Sequence, residues 1–269
     1  MELIDAEIRA LLELIYERFH YDFRDYSPAS LKRRLRAALG GLGHPGISAL
    51  REQLERDPRS FTKLLDYLTV QVSDMFRDPS FYQAMRARVV PELGTYPSIR
   101  VWVAGCSSGE EAYSLAILLH EEDVLDRTTI YATDINPGAL AKADAGIYAL
   151  DRMASFSANY LRGGGRHTLS DYYTTGYASA SFDRMLRKRI VFSDHSLATD
   201  NVFAEVQVVS CRNVLIYFEK KLQERALGLF RDALCRRGFL GIGARESVQF
   251  TAHASAFSPL EQDRWYRRC

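Results

Sequence analysis

The chain has 269 residues, 47% of them hydrophobic and 26% charged, with a formal net charge of +1. That is enough apolar material for a proper core, and the even charge balance excludes nucleic-acid or membrane binding through bulk electrostatics. The opening residues, MELIDAEIRALLELIYERF, meet a charge every few positions, which argues against a signal peptide or a membrane span there. The cysteines (Cys106, Cys211, Cys235 and Cys269) lack zinc-like spacing and fit a reduced cytoplasm.

Apolar side chains at Leu3, Ile4, Ile8, Leu11, Leu12, Ile15 and Phe19 recur with a helical period. A second helix is expected near SPASLKRRLRAALGGLG, with Ser27 or Ser30 as its cap and Gly40 and Gly41 as its stop. GISALREQLERDP and RSFTKLLDYLTV each read as a further helix, so the first ninety or so residues are expected to be all-helical. After PELGTYPS the rhythm changes. IRVWVAG, TTIYATDI, RIVFSD, VQVVSCRNVLIYF and RGFLGIG read as strands, and EEAYSLAILLHE, PGALAKADAGIY and EKKLQERALGLFRDALC as helices. This alternation predicts an α/β fold with a largely parallel sheet covered on both faces. Residues 150–190, rich in glycine, serine and tyrosine, break the pattern and read as an inserted hairpin-like subdomain or a long functional loop.

In an open α/β sheet, ligands bind outside the carboxyl ends of the strands. Three such ends carry polar groups here. In AGCSSGEE, Gly105 and Gly109 would let the backbone approach a ligand closely. In YATDI, Asp134 stands where a second-strand acid grips a ribose diol. VVSCRN brings Cys211, Arg212 and Asn213 to a strand end. Free N–H groups at the first helix mouth would favour a pyrophosphate, but Glu110 and Glu111 oppose one. At roughly 4–6 Å and an effective dielectric of about 20, each like-charge contact costs a few kcal/mol. A nucleoside without phosphates that bears a cationic amino acid suits the site better, and S-adenosylmethionine is such a molecule. Each feature also has a plain structural reading: tight packing for the glycines, an N-cap for Asp134, and first-turn acids complementing the helix dipole for Glu110 and Glu111. Three ends together, in this order, favour the ligand.

Several stretches together resemble the bacterial chemotaxis-receptor glutamate methyltransferases, the CheR-type family. They are VQVSDMFRDPSF (70–81), RVWVAGCSSGEEAYSLA (100–116), IYATDINPGALAKADAGIY (130–148), CRNVLIYFEKKLQ (211–223) and GFLGIGARESV (238–248). The resemblance spans nearly the whole chain and implies a class I S-adenosylmethionine-dependent methyltransferase, Rossmann-like with a mostly parallel sheet. It further implies an N-terminal all-helical domain (1–78), a catalytic domain (79–269) and a small inserted β-subdomain (150–190). Cofactor-binding positions of the family fall on Gln71, Ser73, Arg77, Glu110, Asp134, Ser196, Leu197, Cys211 and Arg212; active-site side chains fall on Arg77 and Tyr217. The family's N-x-T-x-F-F-R pattern is altered, with Gln71, Ser73 and Met75 in place of asparagine, threonine and phenylalanine. Ser196 stands for an asparagine in FSDHSLA.

The resemblance implies transfer of a methyl group to glutamate side chains of chemoreceptors, leaving S-adenosylhomocysteine. Such a nucleophile needs no base, because a glutamate of pKa about 4.3 is already ionised at neutral pH. The exposed face of SLKRRLRAAL, with Lys32, Arg33, Arg34 and Arg36, is the expected docking surface for the cytoplasmic helices of a methyl-accepting receptor. In some relatives the inserted subdomain tethers a receptor's C-terminal peptide by adding a strand. No nucleic acid, metal or membrane insertion is expected. The alternative reading, motivated by Gln71 and Ser196, is a non-catalytic S-adenosylmethionine-binding sensor or adaptor. A third is methylation of RNA or a small metabolite.

Overall fold

A computed structural model of the chain describes residues 4–260 and 264–269, so Leu3 of the first expected helix lies outside the described residues. The N-terminal layer comprises α1 (Asp5–Phe19), α2 (Pro28–Leu42), α3 (Ile47–Arg56) and α4 (Phe61–Leu68). Their apolar stripes meet in one cluster, in which Leu11, Ile15, Leu35 and Leu64 are fully shielded. Proline opens α2 at a position where its missing N–H is no loss, and Ser27 precedes it without a side-chain cap. The helix runs past its expected stop at Gly40 and Gly41 to end on Gly43, φ 75°. A Cβ at Gly41 would strike the Tyr67 hydroxyl, so that glycine serves the contact of α2 with α4.

A short connection then leads through α5 (Pro79–Ala84), one π turn (Met85–Val89) and α6 (Val90–Leu93) into the sheet domain. Its elements are β1 (Ile99–Ala104), α7 (Glu110–Glu121), β2 (Thr128–Asp134), α8 (Pro137–Ala145), β3 (Ile147–Ala149), α9 (Met153–Arg162), β4 (Tyr173–Gly176), β5 (Ser179–Phe182) and α10 (Arg184–Arg187). They continue with β6 (Ile190–Asp194), β7 (Val206–Cys211), α11 (Lys220–Ala233), β8 (Leu234–Ile242), β9 (Phe257–Pro259) and β10 (Trp265–Arg268). The main sheet has the order β6-β2-β1-β7-β8-β10-β9. Strands β6, β2, β1, β7 and β8 pair in parallel, and β10 and β9 close the edge antiparallel. The connections from β1 and from β6 run to opposite sides, which leaves a crevice at the carboxyl end of β1.

Two expected elements differ. VQVVSCRNVLIYF is not one strand: β7 stops at Cys211, and Leu215–Tyr217 forms a 3₁₀ turn. Helix α8 ends at Gly146, φ 62°, so Ile147 and Tyr148 belong to a strand. The region 150–190 contains α9, β4 and β5, and β5 also pairs with β3 (Ile147–Ala149), which precedes that region, so the small antiparallel sheet β3-β5-β4 begins ahead of the expected boundary.

A buried polar cluster ties this insert to the end of α7. The fully shielded Glu121 carboxylate pairs with Arg86 and accepts hydrogen bonds from the Tyr160 hydroxyl, from the Tyr172 hydroxyl at 3.0 Å and from Arg166 N at 3.2 Å. Burial alone would raise the Glu121 carboxyl, but the hydrogen bonds from Tyr160 and Arg86 outweigh it and hold it below the ordinary range. The stability this carboxylate contributes is therefore present at neutral pH and is lost as pH falls through that lowered value. We expect Glu121→Ala to destabilise the fold by about 3–5 kcal/mol at pH 7, read from urea denaturation, with the difference from wild type shrinking at acid pH.

Candidate functional site

A cavity opens at the carboxyl ends of β1, β2 and β7, walled by Gly105, Ser107, Asp134, Arg212 and the 3₁₀-turn residue Tyr217. Residues of the segment 69–77 and, from the helical layer, Tyr26 and Arg34 complete its wall. The turn after β1 is tight: Gly105 has φ 78° and Ser107 φ 50°. It aims Ser107 N at Asp134 Oδ2, 2.8 Å away, while Asn136 N donates to Oδ1 at 3.0 Å. Desolvation raises the Asp134 carboxyl above its ordinary range, against the N–H groups of Asn136, Ser107 and Ile135. The carboxylate keeps acceptor capacity beyond these bonds. The two N–H groups fix the Asp134 carboxylate at the end of β2, where it borders the cavity.

Arg212 organises the opposite wall. Its side chain is 1% exposed and pairs with Glu111 at 3.1 Å and Asp78 at 3.0 Å. It also donates to Arg77 O at 2.5 Å and lies over the Phe81 ring at 4.0 Å. Glu111 accepts a further hydrogen bond from Ser210 Oγ at 2.6 Å. One guanidinium therefore ties the end of β7, the first turn of α7 and the connecting segment together. Within that segment Phe76 (φ 50°) and Asp78 (φ 54°) sit in the left-handed region, at a cost of order 1–3 kcal/mol each. Phe76 N is held there by Ser114 Oγ at 2.9 Å.

Of the residues singled out from sequence, Ser73, Arg77, Asp134, Leu197, Arg212 and Tyr217 line the cavity. Gln71, Glu110, Ser196 and Cys211 are not on its wall. Gln71 Nε2 turns to Thr69 Oγ1 at 3.0 Å. Glu110 is fully buried and held by Ser108 Oγ at 2.8 Å and Arg152 at 2.7 Å, so it is Glu111 that faces the site. Ser196 engages its own loop, its N donating to Asp200 Oδ2 at 2.9 Å. Cys211 is packed in an apolar cluster, where burial pushes its thiol well up. The glycines of the first turn also serve packing, and Gly105 lies on the cavity wall as well. A Cβ at Gly105 would strike Val214 at 2.4 Å, and one at Gly109 would meet Ala143 at 2.8 Å.

On α2, Arg33 and Arg36 are exposed and Lys32 pairs with Asp5 at 2.6 Å. Arg34 does not share that face. It is 7% exposed, donates to Leu68 O and stacks over the Tyr217 ring at 4.4 Å. The helical period puts Arg34 beside Leu31 and Leu35 on the inward stripe, so this residue is a cavity wall rather than a docking-surface residue.

Tyr26, Arg34, Ser107 and His195 are cavity residues that the sequence reading did not assign to the site, whereas Glu111 and Asn213, read from sequence as lying at the helix mouth and at a strand end, are on the wall as expected. His195 adjoins the assigned Ser196, and Ser107 lies inside the AGCSSGEE turn that the strand-end reading had already singled out. Nothing local marks Tyr26, whereas the helical period that sets Arg34 beside Leu31 and Leu35 was a signal for its inward turn. Several buried polar atoms on the wall have no protein partner among the described residues: Ser107 Oγ, His195 Nδ1, and Nε and Nη2 of Arg34. Such groups are costly to bury unpaired and fit a ligand rich in hydroxyl, amino and carboxylate groups, as S-adenosylmethionine is. The electrostatics also differ from the expected acidic mouth. Arg152 compensates Glu110 and Arg212 compensates Glu111, which leaves Asp134 as the wall carboxylate without a cation among the described residues.

The family model described as "CheR methyltransferase, SAM binding domain" matches residues 71–265, and that described as "CheR methyltransferase, all-alpha domain" matches residues 6–69. The chain is 56% identical over 256 residues to a Pseudomonas putida protein named "Putative methyltransferase Cher3", covering 95% of this chain and 94% of that one. It is 31% identical to the "Chemotaxis protein methyltransferase" of Listeria monocytogenes, with 84% of each chain covered. With the protein of the same name from Salmonella typhimurium it shares 29% identity over 277 residues, covering 98% of this chain and 88% of that one.

Arg212→Lys keeps the charge but loses the fork that serves Glu111, Asp78 and the Arg77 carbonyl at once. We expect a loss of about 1.5–3 kcal/mol by urea denaturation, with the connecting segment 69–78 becoming accessible to limited proteolysis.

Proposed function

Because the chain belongs to the CheR methyltransferase family, we propose that it transfers a methyl group from S-adenosylmethionine to glutamate side chains on the cytoplasmic helices of chemoreceptors, forming γ-methyl esters. The observation that carries this reading is the pair of guanidiniums on the cavity wall, Arg34 and Arg77. Neither has a carboxylate partner among the described residues, and both share the wall with Tyr217. They offer an incoming carboxylate the charge it needs, while Asp134 offers a nucleoside diol its acceptor.

When bound, S-adenosylmethionine supplies an electrophilic methyl group on a sulfonium. The chain's own residues then have three tasks. Asp134, braced by Ser107 N and Asn136 N, holds hydroxyl groups at the end of β2. Arg77 and Tyr217 orient the acceptor oxygen, a positioning effect that contributes roughly 7–11 kcal/mol in favourable cases. Tyr26 and Arg34, brought over from the helical layer, narrow the cavity and exclude water from the carboxylate. No general base is needed, because the acceptor is already ionised. Arg34 and Arg77 must not grip it so firmly that the ground state gains as much as the transition state.

Arg33 and Arg36 are exposed on α2, the helix that also carries Arg34 to the cavity wall, and they are the docking contacts of this reading for an acidic receptor helix. This contact would weaken with salt. Both β3 and β4 are outer strands of the small sheet, and either edge would accept a receptor tail peptide as an added strand. Among the described residues no helix is long and apolar enough to cross a membrane, in keeping with a cytoplasmic site of action. Gln71 and Ser196, whose departures from the family pattern motivated a non-catalytic reading, stand off the cavity wall, so that reading loses its physical ground.

The deciding experiment supplies receptor-containing membranes and methyl-labelled S-adenosylmethionine. Label released as methanol by base supports glutamate esters, base-stable label points to another acceptor, and cofactor binding without transfer points to a sensor. Arg77→Ala should lower kcat/KM about a hundredfold while S-adenosylhomocysteine still binds. Asp134→Ala should weaken S-adenosylhomocysteine about ten- to a hundredfold by calorimetry, the value of hydrogen bonds to a charged group. Because the carboxyl is raised, wild-type affinity should fall with decreasing pH sooner than an ordinary aspartate would dictate.

A further inference from the structure

We infer that Glu246 is a positioning residue for this site: its carboxylate folds residues 212–217 into the loop that sets Asn213 and Tyr217 on the cavity wall. The inference rests on the methyl-transfer reading of the cavity. Glu246 follows β8, is 4% exposed and is not itself on the wall. Its Oε2 accepts from Gly243 N at 2.6 Å and Asn213 N at 3.0 Å, and its Oε1 from Val214 N at 2.8 Å and Ile216 N at 3.3 Å. Among the described residues it has no cationic partner. A buried carboxylate is expensive unless its hydrogen bonds are made, and here all of them go to main-chain donors of one loop and of its own turn.

The consequence is visible in the backbone. The run VQVVSCRNVLIYF has the composition of a single long strand, yet pairing ends at Cys211. From there the chain turns through Asn213, φ 60°, and closes the 3₁₀ turn Leu215–Tyr217. The N–H groups of residues 213, 214 and 216, which strand pairing would otherwise satisfy, are taken by Glu246. Val214 is then pressed against Gly105, which registers the loop on the turn after β1. Gly243 has to lack a side chain, since a Cβ there would meet Glu246 Oε2 at 2.6 Å and Asn213 N at 2.8 Å. The carboxylate is thus the hub on which β7, β8 and the Tyr217 turn converge, without contact to the reacting groups.

Glu246→Gln in the full chain is the test. It keeps the volume and one accepting oxygen but sets an amide donor against two main-chain donors. S-adenosylhomocysteine titration counts competent sites, initial rates at saturating cofactor give kcat, and hydrogen exchange reads the loop. We expect close to one site per chain with Kd weakened less than tenfold, kcat per site down about tenfold or more, and protection lost at Asn213, Val214 and Ile216 but kept in β1 and β7. Glu246→Asp, with the charge retained on a shorter arm, should recover part of the kcat, and it carries the same comparison if the Gln variant does not fold. Unchanged kcat with unchanged loop protection would overturn the inference, and so would a loss of protection spread evenly over the sheet. If wild-type protein transfers no methyl group, the reading of the cavity fails, while the exchange data still decide whether Glu246 holds the loop.

Discussion

The site depends on a short main-chain junction between two distant parts of the chain. Ser27 N donates to Tyr217 O at 2.8 Å, Glu219 N donates to Asp25 O at 2.9 Å, and Tyr26 bridges Phe218. The two rings meet edge to face at 4.9 Å. These bonds fasten the start of α2 to the loop after β7. Once that is done, the first turns of α2 must lie over the crevice at the strand ends, and Tyr26 and Arg34 become part of its wall. A sheet of this kind offers a crevice by topology alone. The junction adds a second, cationic side to it.

Charge pairing then sorts the acids and bases around the crevice. Glu110 and Glu111, adjacent in the chain, are drawn in different directions: Glu110 to Arg152 of the inserted region, Glu111 to Arg212 at the end of β7. Adjacent helical residues point about 100° apart, so two acids in one first turn serve two different neighbours. Compensation of both leaves Asp134 as the acceptor on one side and Arg34 and Arg77 as donors on the other. The arrangement suits a reaction in which hydroxyl groups must be held and a carboxylate must be brought to an electrophile.

Much of the fold was legible from the chain itself. Helical periodicity from Ile4 to Leu68, strand–helix alternation from Ile99 onward and proline at the starts of α2 and α8 are local signals, and local physics decides them. Part of what was misread turns on contacts remote in sequence. The end of β7 at Cys211 goes with a carboxylate 35 positions further along the chain, the room at Gly41 in α2 is taken by Tyr67, and the contacts that Arg34 makes on its inward face are with Tyr217 and Leu68.

The sequence by itself determined the element types, the largely parallel sheet and the ends at which a ligand would be met, because side-chain period and turn chemistry act over a few residues. Only the tertiary structure decided which polar residues reach the cavity. Arg152 and Arg212, remote in sequence, pair Glu110 and Glu111, while Gln71 and Ser196 bond within their own segments to Thr69 and Asp200, and Asp134, Arg34 and Arg77 stand on the wall without an ionic partner among the described residues. A buried polar group goes where its hydrogen bonds are, and that cannot be read from its neighbours in the chain.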